Sequence, residues 1–262
     1  MTIYAGIDAG SRTIKVALLD AARGRIVATG VADQGVQQDA LAAELFDRTL
    51  REKDLARQDV GFVVATGYAR SIVSAADTTI TEITCHAWGV RRGVPDAATI
   101  VEIGGQDSKL IRLSADGTVR DFAMNDRCAA GTGRFLEMVA QRLDVPLESL
   151  GDLARRSQKP AAISSMCVVF AETEIISLLA AATEPEDIVA GVQAAIASRV
   201  TAMVGRNVTP PVVFTGGVAL IPGMDAALAA ALGCQITIAP DPQMTGAVGA
   251  ALLAARQVPP KA

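Results

Sequence analysis

Two cysteines stand in settings that could do chemistry. One closes the run Met124-Asn125-Asp126-Arg127-Cys128 and is followed by Ala129-Ala130-Gly131-Thr132-Gly133-Arg134-Phe135. The other closes Ile163-Ser164-Ser165-Met166-Cys167 and is followed by Val168-Val169-Phe170-Ala171-Glu172. Behind Cys128 the apolar Phe135, Met138, Val139 and Leu143 share one helical face, as do Val168, Ile175, Ile176 and Leu179 behind Cys167. The expectation is two thiols at or just before two helix N-termini, where unpaired N–H groups and the helix dipole favour the thiolate. Such a thiolate is a nucleophile or a soft metal ligand. A lone cysteine is commonly only a small buried hydrophobe, but two in matched settings point to chemistry. Cys85 and Cys234 lack that setting and are expected in the core. His86, the single histidine, is expected to be a structural hydrogen-bonder, and Glu172 and Glu174 to complement the dipole of the second helix.

A second set of residues fits phosphate. Glycine turns at Gly10-Ser11, Gly104-Gly105 and Gly216-Gly217 each follow an apolar strand pattern. Turns of this kind let backbone N–H groups approach phosphate oxygens with no Cβ in the way. Asp8 and Asp107 add carboxylates able to hold Mg²⁺ through water, and Ser11, Thr13 and Lys15 add donors to phosphate. Neither a Gly-x-x-x-x-Gly-Lys-Ser/Thr loop nor a Gly-x-Gly-x-x-Gly fingerprint occurs. Any one such turn fits an ordinary hairpin. Three, with paired aspartates, fit a phosphotransfer cleft between two lobes.

These residues must be positioned by strands and helices that the pattern places in order. Ile3 to Ala28 reads as a β-meander turning at Gly10-Ser11-Arg12-Thr13 and Arg23-Gly24. Ala40 to Arg51 has helical spacing, Val60 to Gly67 reads as a buried parallel strand, and Ile80 to Arg91 is mixed. The opening then recurs: Ile100 to Leu113 repeats strand, glycine turn, strand, with a further turn at Asp116-Gly117 and another strand. Setting Gly10 on Gly104 puts Lys15 on Lys109, Thr13 on Asp107 and Asp8 on Glu102, the mark of a duplication. After the two cysteine segments come a helix from about Glu186 to Arg206 and a buried strand from Pro211 into Gly216-Gly217-Val218. A helix with apolar Met224, Leu228 and Leu232 follows, then a strand from Gln235 to Ile238 and a helix from Gly246 to Ala255. Pro259-Pro260 ends the ordered chain. The expected domains are 1–95 with 246–262 as a first lobe, and 96–245 as a second lobe carrying both cysteines.

Composition bounds the answer. The 262 residues are half apolar and 20% charged with net charge −4, which offers no basic face for nucleic acid. No apolar run is long enough to span a membrane and no signal peptide is read at the start, so a soluble cytoplasmic protein is expected. Its cysteines are then reduced, metal-bound or buried rather than disulfide-bonded.

Gly6-Ile7-Asp8-Ala9-Gly10-Ser11, Ile103-Gly104-Gly105-Gln106-Asp107 and Thr215-Gly216-Gly217-Val218 resemble the phosphate-1, phosphate-2 and adenosine motifs of the actin, Hsp70 and sugar-kinase superfamily. Within it, the segment Asn125 to Phe135 and the segment Ser164 to Glu174 resemble the ATP-dependent activators of 2-hydroxyacyl-CoA dehydratases, relatives of the ATPase subunits of benzoyl-CoA reductase. Ala65-Thr66-Gly67-Tyr68 and Cys85-His86-Ala87 also fit, so the resemblance covers nearly the whole chain.

The resemblance implies an α/β, duplicated ribonuclease-H-like (actin-like ATPase) fold with two lobes around a nucleotide cleft. It implies ATP bound through Gly10, Ser11, Arg12, Thr13, Ile14 and Lys15, with Gly104 and Gly105, and Gly216, Gly217, Val218 and Gln243 meeting the nucleoside. Asp8, Gln106 and Asp107 become the catalytic set, Asp8 holding Mg²⁺ through water. Arg12 departs from the small polar residue usual there, and Leu220-Ile221-Pro222 is more apolar than common; either would alter nucleotide affinity. It implies a [4Fe–4S] cluster on Cys128 and Cys167, shared between subunits. Ligand counting agrees, since a cubane takes four thiolates and a chain offers two in the right setting, so a homodimer closes the shell. Ferredoxin or flavodoxin as electron donor, and an iron–sulfur acceptor enzyme of the acyl-CoA dehydratase or reductase type, complete the expectation. The rivals are an ATPase subunit of a benzoyl-CoA-type or double-cubane reductase, a small-molecule kinase of the same superfamily, and a non-catalytic actin-like module.

Overall fold

The computed structural model describes residues 2–164, 167–204 and 208–257. Ser165 and Met166 of the second cysteine segment, Arg206 and Pro259-Pro260 lie outside the described residues. The chain divides into two compact units, Met1–Asp96 with Ser114–Val119 and Gln243–Ala262, and Ala97–Leu113 with Arg120–Pro242.

In the first unit the meander is β1 (Ile3–Ala9), β2 (Thr13–Asp20) and β3 (Arg25–Asp33), each antiparallel to the next. α1 (Gln38–Arg51) leads to β4 (Val60–Thr66), parallel to β1, and to the short β5 (Thr78–Thr79). The sheet order is β3-β2-β1-β4-β5. Strand alternation divides its core. Ile3, Ala5, Ile7 and Ala9 pack with Leu45, Phe46 and Leu50 of α1. Tyr4, Ala17 and Val64 pack with Cys85 of α2 (Glu82–Gly93) and with Ala247, Ala250 and Ala251 of α8 (Thr245–Gln257). The mixed stretch of sequence is thus the helix α2, started by Thr81, whose hydroxyl accepts from Thr84 N at 3.5 Å.

The second unit repeats the plan. β6 (Thr99–Ile103) pairs antiparallel with β7 (Ser108–Leu113) and parallel with β9 (Val212–Thr215), in a sheet of order β10-β9-β6-β7-β8. Here β8 is Val119–Asn125 and β10 is Ile236–Ile238. Read from the other edge, β8-β7-β6-β9-β10 matches the first sheet strand for strand, so the duplication expected from the glycine turns is present in the topology. The helices are α3 (Gly133–Leu143), α4 (Leu150–Arg156), α5 (Val168–Ala180), α6 (Pro185–Val204) and α7 (Met224–Leu232). Phe135, Val139, Ile175, Ile188, Val192 and Phe214 join in one core.

Candidate functional site

In the first unit Asp8 is the penultimate residue of the buried strand β1 and is only 6% exposed. Gly6, on the same face, has the backbone of Ala247 and Ala251 where a Cβ would go, which lets α8 lie directly on β1. That approach brings the start of α8 to Asp8: a Cβ on Gly246 would stand 2.9 Å from Asp8 Oδ2. His86 Nδ1 is 2.9 Å from Thr245 Oγ1, the structural hydrogen bond expected of it. Lys15, the cross-strand partner of Asp8, has its Nζ 3.4 Å from Asp8 Oδ2. The turn between them is closed by Gly10 N donating to Thr13 O at 3.1 Å. It is braced by Gln34, the residue after β3, whose Nε2 donates to Gly10 O at 3.0 Å and whose backbone N donates to Arg12 O at 2.9 Å. Arg12 is exposed and its Nη1 meets Asp33 Oδ1 at 3.2 Å. The Ile14 side chain is fully buried in the core.

In the second unit Glu102 and Lys109 occupy the positions of Asp8 and Lys15 and are again cross-strand partners. The turn is the same, Gly104 N donating to Asp107 O at 2.9 Å. A carboxylate is added at position 107, where the first unit has Thr13. Lys109 Nζ, almost wholly buried, donates to Glu102 Oε2 at 2.8 Å and to Asp107 Oδ2 at 2.6 Å. Gly216 has φ +92, in the range that excludes most side chains. A Cβ there would lie 2.6 Å from Glu102 Oε1, so both glycine turns of this unit lie against one buried carboxylate. Val218 is buried beside them.

The turn at Gly104-Gly105 also holds the start of α3. Gly133 N donates to Gly104 O at 2.9 Å and Arg134 N to Gly105 O at 2.8 Å, so two of the N–H groups that a helix leaves unpaired bind this loop. Ahead of α3 lies Cys128. It lies just before the helix, as expected, and caps a 3₁₀ turn over Ala129–Gly131 that leads through an extended Thr132 into α3. Asn125 fixes it from both sides, Oδ1 accepting from Cys128 N at 3.0 Å and Nδ2 donating to Cys128 O at 2.7 Å.

Cys167 is the N-cap of α5, as expected. Its approach is anchored twice. Asp187 accepts from Ser157 Oγ at 2.6 Å and from Lys159 N at 2.9 Å, and Glu174 Oε1 accepts from Ser164 Oγ at 2.7 Å and Ser164 N at 2.9 Å. The hydroxyl of Ser157 and those backbone N–H groups hold the Asp187 carboxyl below its usual range. Glu172 pairs with Arg142, which ties α5 to α3. Neither glutamate lies in the first turn of α5, so the expected dipole role gives way to these specific partners.

Cys128 and Cys167 are exposed and all four cysteines are free of disulfides. Burial pushes the Cys85 thiol up to about 12, and Cys234 packs half-buried against the core of the second unit. Both fit the inert role expected. Among the described residues no group of three or more His, Cys, Asp or Glu side chains gathers as a metal shell. Beside Cys167, Val169 and Phe170 are 68% and 69% exposed, and Ile176 is exposed about two turns further along α5. Phe122 and Met124 are exposed on β8. Among the described residues no helix is long and apolar enough to cross a membrane.

Sequence reading treated Glu102 and Lys109 only as echoes of Asp8 and Lys15, and it missed Gln34, Asn125 and the anchoring by Asp187. Asn125 was open to notice, since a short Asn side chain readily bonds nearby backbone groups in a loop.

The sequence profile of the BadF/BadG/BcrA/BcrD ATPase family matches residues 5–254. The chain belongs to that family. It is 42% identical over 254 residues to the activator of lactoyl-CoA dehydratase of Anaerotignum propionicum, covering 95% of this chain and 96% of that one. The crystal structure of (R)-2-hydroxyglutaryl-CoA dehydratase component A of Acidaminococcus fermentans superposes with TM-score 0.92 at 40% identity, over 98% of this chain and 99% of that one. The activator of 2-hydroxyisocaproyl-CoA dehydratase of Clostridium difficile, with bound ADPNP, superposes with TM-score 0.91 at 39% identity, over 99% of both chains. The fold of this family member is that of the actin-like ATPases.

Proposed function

We propose that this protein is an ATP-hydrolysing activator that delivers low-potential electrons to a partner iron–sulfur enzyme of the 2-hydroxyacyl-CoA dehydratase type, in the cytoplasm. The observation that carries the reading is the pair of hydrogen bonds from Gly133 N and Arg134 N to Gly104 O and Gly105 O. They join a phosphate-type turn to the helix that follows an exposed, fixed cysteine. A small-molecule kinase of the same fold has no use for that connection or for two exposed thiols.

ATP is the substrate. The Gly10–Lys15 turn supplies backbone N–H groups, the Ser11 and Thr13 hydroxyls and the Lys15 ammonium to its phosphates. Gly104, Gly105, Gly216, Gly217, Val218 and Gln243 supply the remaining contacts, with Val218 contributing to packing. Asp8, a hard oxygen donor at the end of a buried strand, fits Mg²⁺ held through water. Asp107 takes or orients the attacking water, with Gln106 beside it.

The two cysteines fit a [4Fe–4S] cluster in kind and in number only if two chains share it. Both are soft thiol donors at the surface, and a chain supplies two of the four thiolates a cubane takes. The cluster, when bound, supplies one-electron transfer at low potential. This chain's part is to hold Cys128 through Asn125 and Cys167 through the cap of α5. The exposed Val169, Phe170 and Ile176 beside Cys167 give a second copy an apolar face to cover, supporting a homodimer. Ferredoxin or flavodoxin is the donor class. Anaerobic purification with iron and sulfide counting tests the reading: about four irons per dimer is expected, and a colourless protein with full ATPase activity would overturn it.

A further inference from the structure

The second unit contains a buried charge arrangement that its duplicated counterpart lacks. Among the described residues Lys15 has one carboxylate, Asp8, at 3.4 Å. Lys109 has two, Glu102 at 2.8 Å and Asp107 at 2.6 Å, with side-chain exposures of 2% for Lys109, 5% for Glu102 and 25% for Asp107. A buried ammonium between two carboxylates is costly to assemble and fixes its partners closely. Both glycine turns crowd Glu102 from the other side, since a Cβ on Gly104 or Gly216 would stand 3.3 or 2.6 Å from its Oε1. The order is therefore from the rigid strand outward: Glu102 on β6 fixes the Lys109 ammonium, and the ammonium fixes Asp107 Oδ2. The other oxygen, Asp107 Oδ1, lies against Gly104.

We propose that Glu102 and Lys109 are positioning residues for ATP hydrolysis, a buried pair that sets the orientation of the Asp107 carboxylate. This rests on the reading of Asp107 as the group that takes or orients water. Neither residue touches nucleotide in this account. The pair acts by limiting Asp107 to one rotamer, leaving a single oxygen to accept from water. A displacement of about 1 Å at such a group costs on the order of 10²-fold in rate.

The test is steady-state ATPase kinetics and nucleotide binding on four proteins: wild type, Asp107→Asn, Lys109→Met/Glu102→Gln, and the triple variant. The paired change removes both buried charges together, so it avoids the unpaired Glu102 that Lys109→Met alone would leave. Melting and nucleotide affinity establish that each variant folds. The expected result for Lys109→Met/Glu102→Gln is a kcat lower by about 10- to 100-fold with nucleotide Kd changed by less than about threefold. The triple variant is expected to be no slower than Asp107→Asn, since residues acting through one group are not additive. If Asp107→Asn is slow and the paired variant keeps the wild-type kcat, the positioning role is overturned. A triple variant slower than Asp107→Asn by the full factor of the paired change would also overturn it, because the pair would then act independently of Asp107. If Asp107→Asn keeps wild-type hydrolysis, the reading of Asp107 itself falls. Should the paired variant fail to fold, Lys109→Arg, which keeps the charge but cannot place a single nitrogen between both carboxylates, is expected to show the same fall in kcat, and an unchanged kcat there overturns the proposal.

Discussion

Gly133 N donates to Gly104 O at 2.9 Å, so the first residue of α3 is bonded to a glycine of a phosphate-type turn. With Arg134 N on Gly105 O, the loop has no freedom to move without moving the helix start, and Cys128 lies five residues ahead of that start. A shift in the loop is carried by two backbone hydrogen bonds rather than by side chains.

That link predicts nucleotide-dependent reactivity at Cys128 in the cluster-free protein. A non-hydrolysable ATP analogue is expected to change the alkylation rate of Cys128 by about fivefold or more, the lower end of ordinary coupling between sites. Arg134→Pro removes one of the two donors at a helix position that tolerates proline, and the dependence is expected to be largely lost. Arg134→Ala removes the exposed pair with Glu137 but keeps the N–H, and it is expected to behave as wild type. Equal nucleotide effects in all three proteins would contradict the link.

The ligands are tested by substitution. Cys128→Ser or Cys167→Ser is expected to reduce bound iron to background after anaerobic reconstitution, whereas Cys85→Ser and Cys234→Ser retain it. Alkylation of the cluster-free protein near pH 8 is expected to separate the exposed Cys128 and Cys167 from Cys85. Cys85, fully buried with its thiol pushed up to about 12, carries on the order of 10⁻⁴ thiolate there and should stay unlabelled. Mass mapping of labelled cysteines reads this directly.

Asp107→Asn is expected to leave nucleotide affinity within about tenfold and to cut hydrolysis by at least about 10²-fold, the scale for losing a proton-transfer or water-orienting group. Single-turnover hydrolysis beside equilibrium binding separates the two. An unchanged rate in a folded variant would place the role elsewhere.

Acid should loosen the approach to Cys167. The hydroxyl of Ser157, then the backbone N–H groups of Lys159 and Gln158, lower the Asp187 carboxyl from its ordinary 3.8. A depressed folded value means that the stabilisation is fully present above the unfolded value and disappears as pH falls through the lower, folded one. Asp187→Asn is therefore expected to be less stable than wild type in urea at pH 7, with the gap narrowing below about pH 4. A gap that persists unchanged at pH 3 would assign the effect to something other than the charge.

The sequence made the duplication legible because the Gly10 and Gly104 turns and their flanking alternation are local signals. The equivalence of Lys15 with Lys109 then survives as an identical cross-strand register. α2 was not legible, since Ile83, Thr84 and Trp88 have weak helix preference and its support is tertiary: α8 packs against it where Gly249 meets the Cys85 carbonyl. The 3₁₀ turn between Cys128 and α3 was not legible, because periodicity marks where a face begins to be buried and not where the chain first turns. Asp107 was legible as a carboxylate in a glycine turn. That it shares a buried ammonium with Glu102 was not, as only pairing of β6 with β7 brings those three together.

Assembly is the remaining prediction, and it follows from counting and from surface. Two thiolates per chain leave a cubane half-ligated, and the α5 face beside Cys167 exposes Val169 and Phe170 by about two thirds together with Ile176. A second copy related by a two-fold axis would answer both, supplying two more thiolates and covering the apolar side chains. Metal binding to two chains is then also association free energy. The cluster-loaded protein is expected to run as a dimer under argon, and the cluster-free protein to dissociate on dilution. Phe170→Glu places a charge on the apolar face without touching either cysteine, so it should weaken the dimer and, with it, iron retention, while nucleotide binding by the single chain is kept. Sizing and iron content measured on the same fractions decide the matter: a monomer that still carries about four irons would show that one chain completes the shell by itself, and the shared site would be wrong.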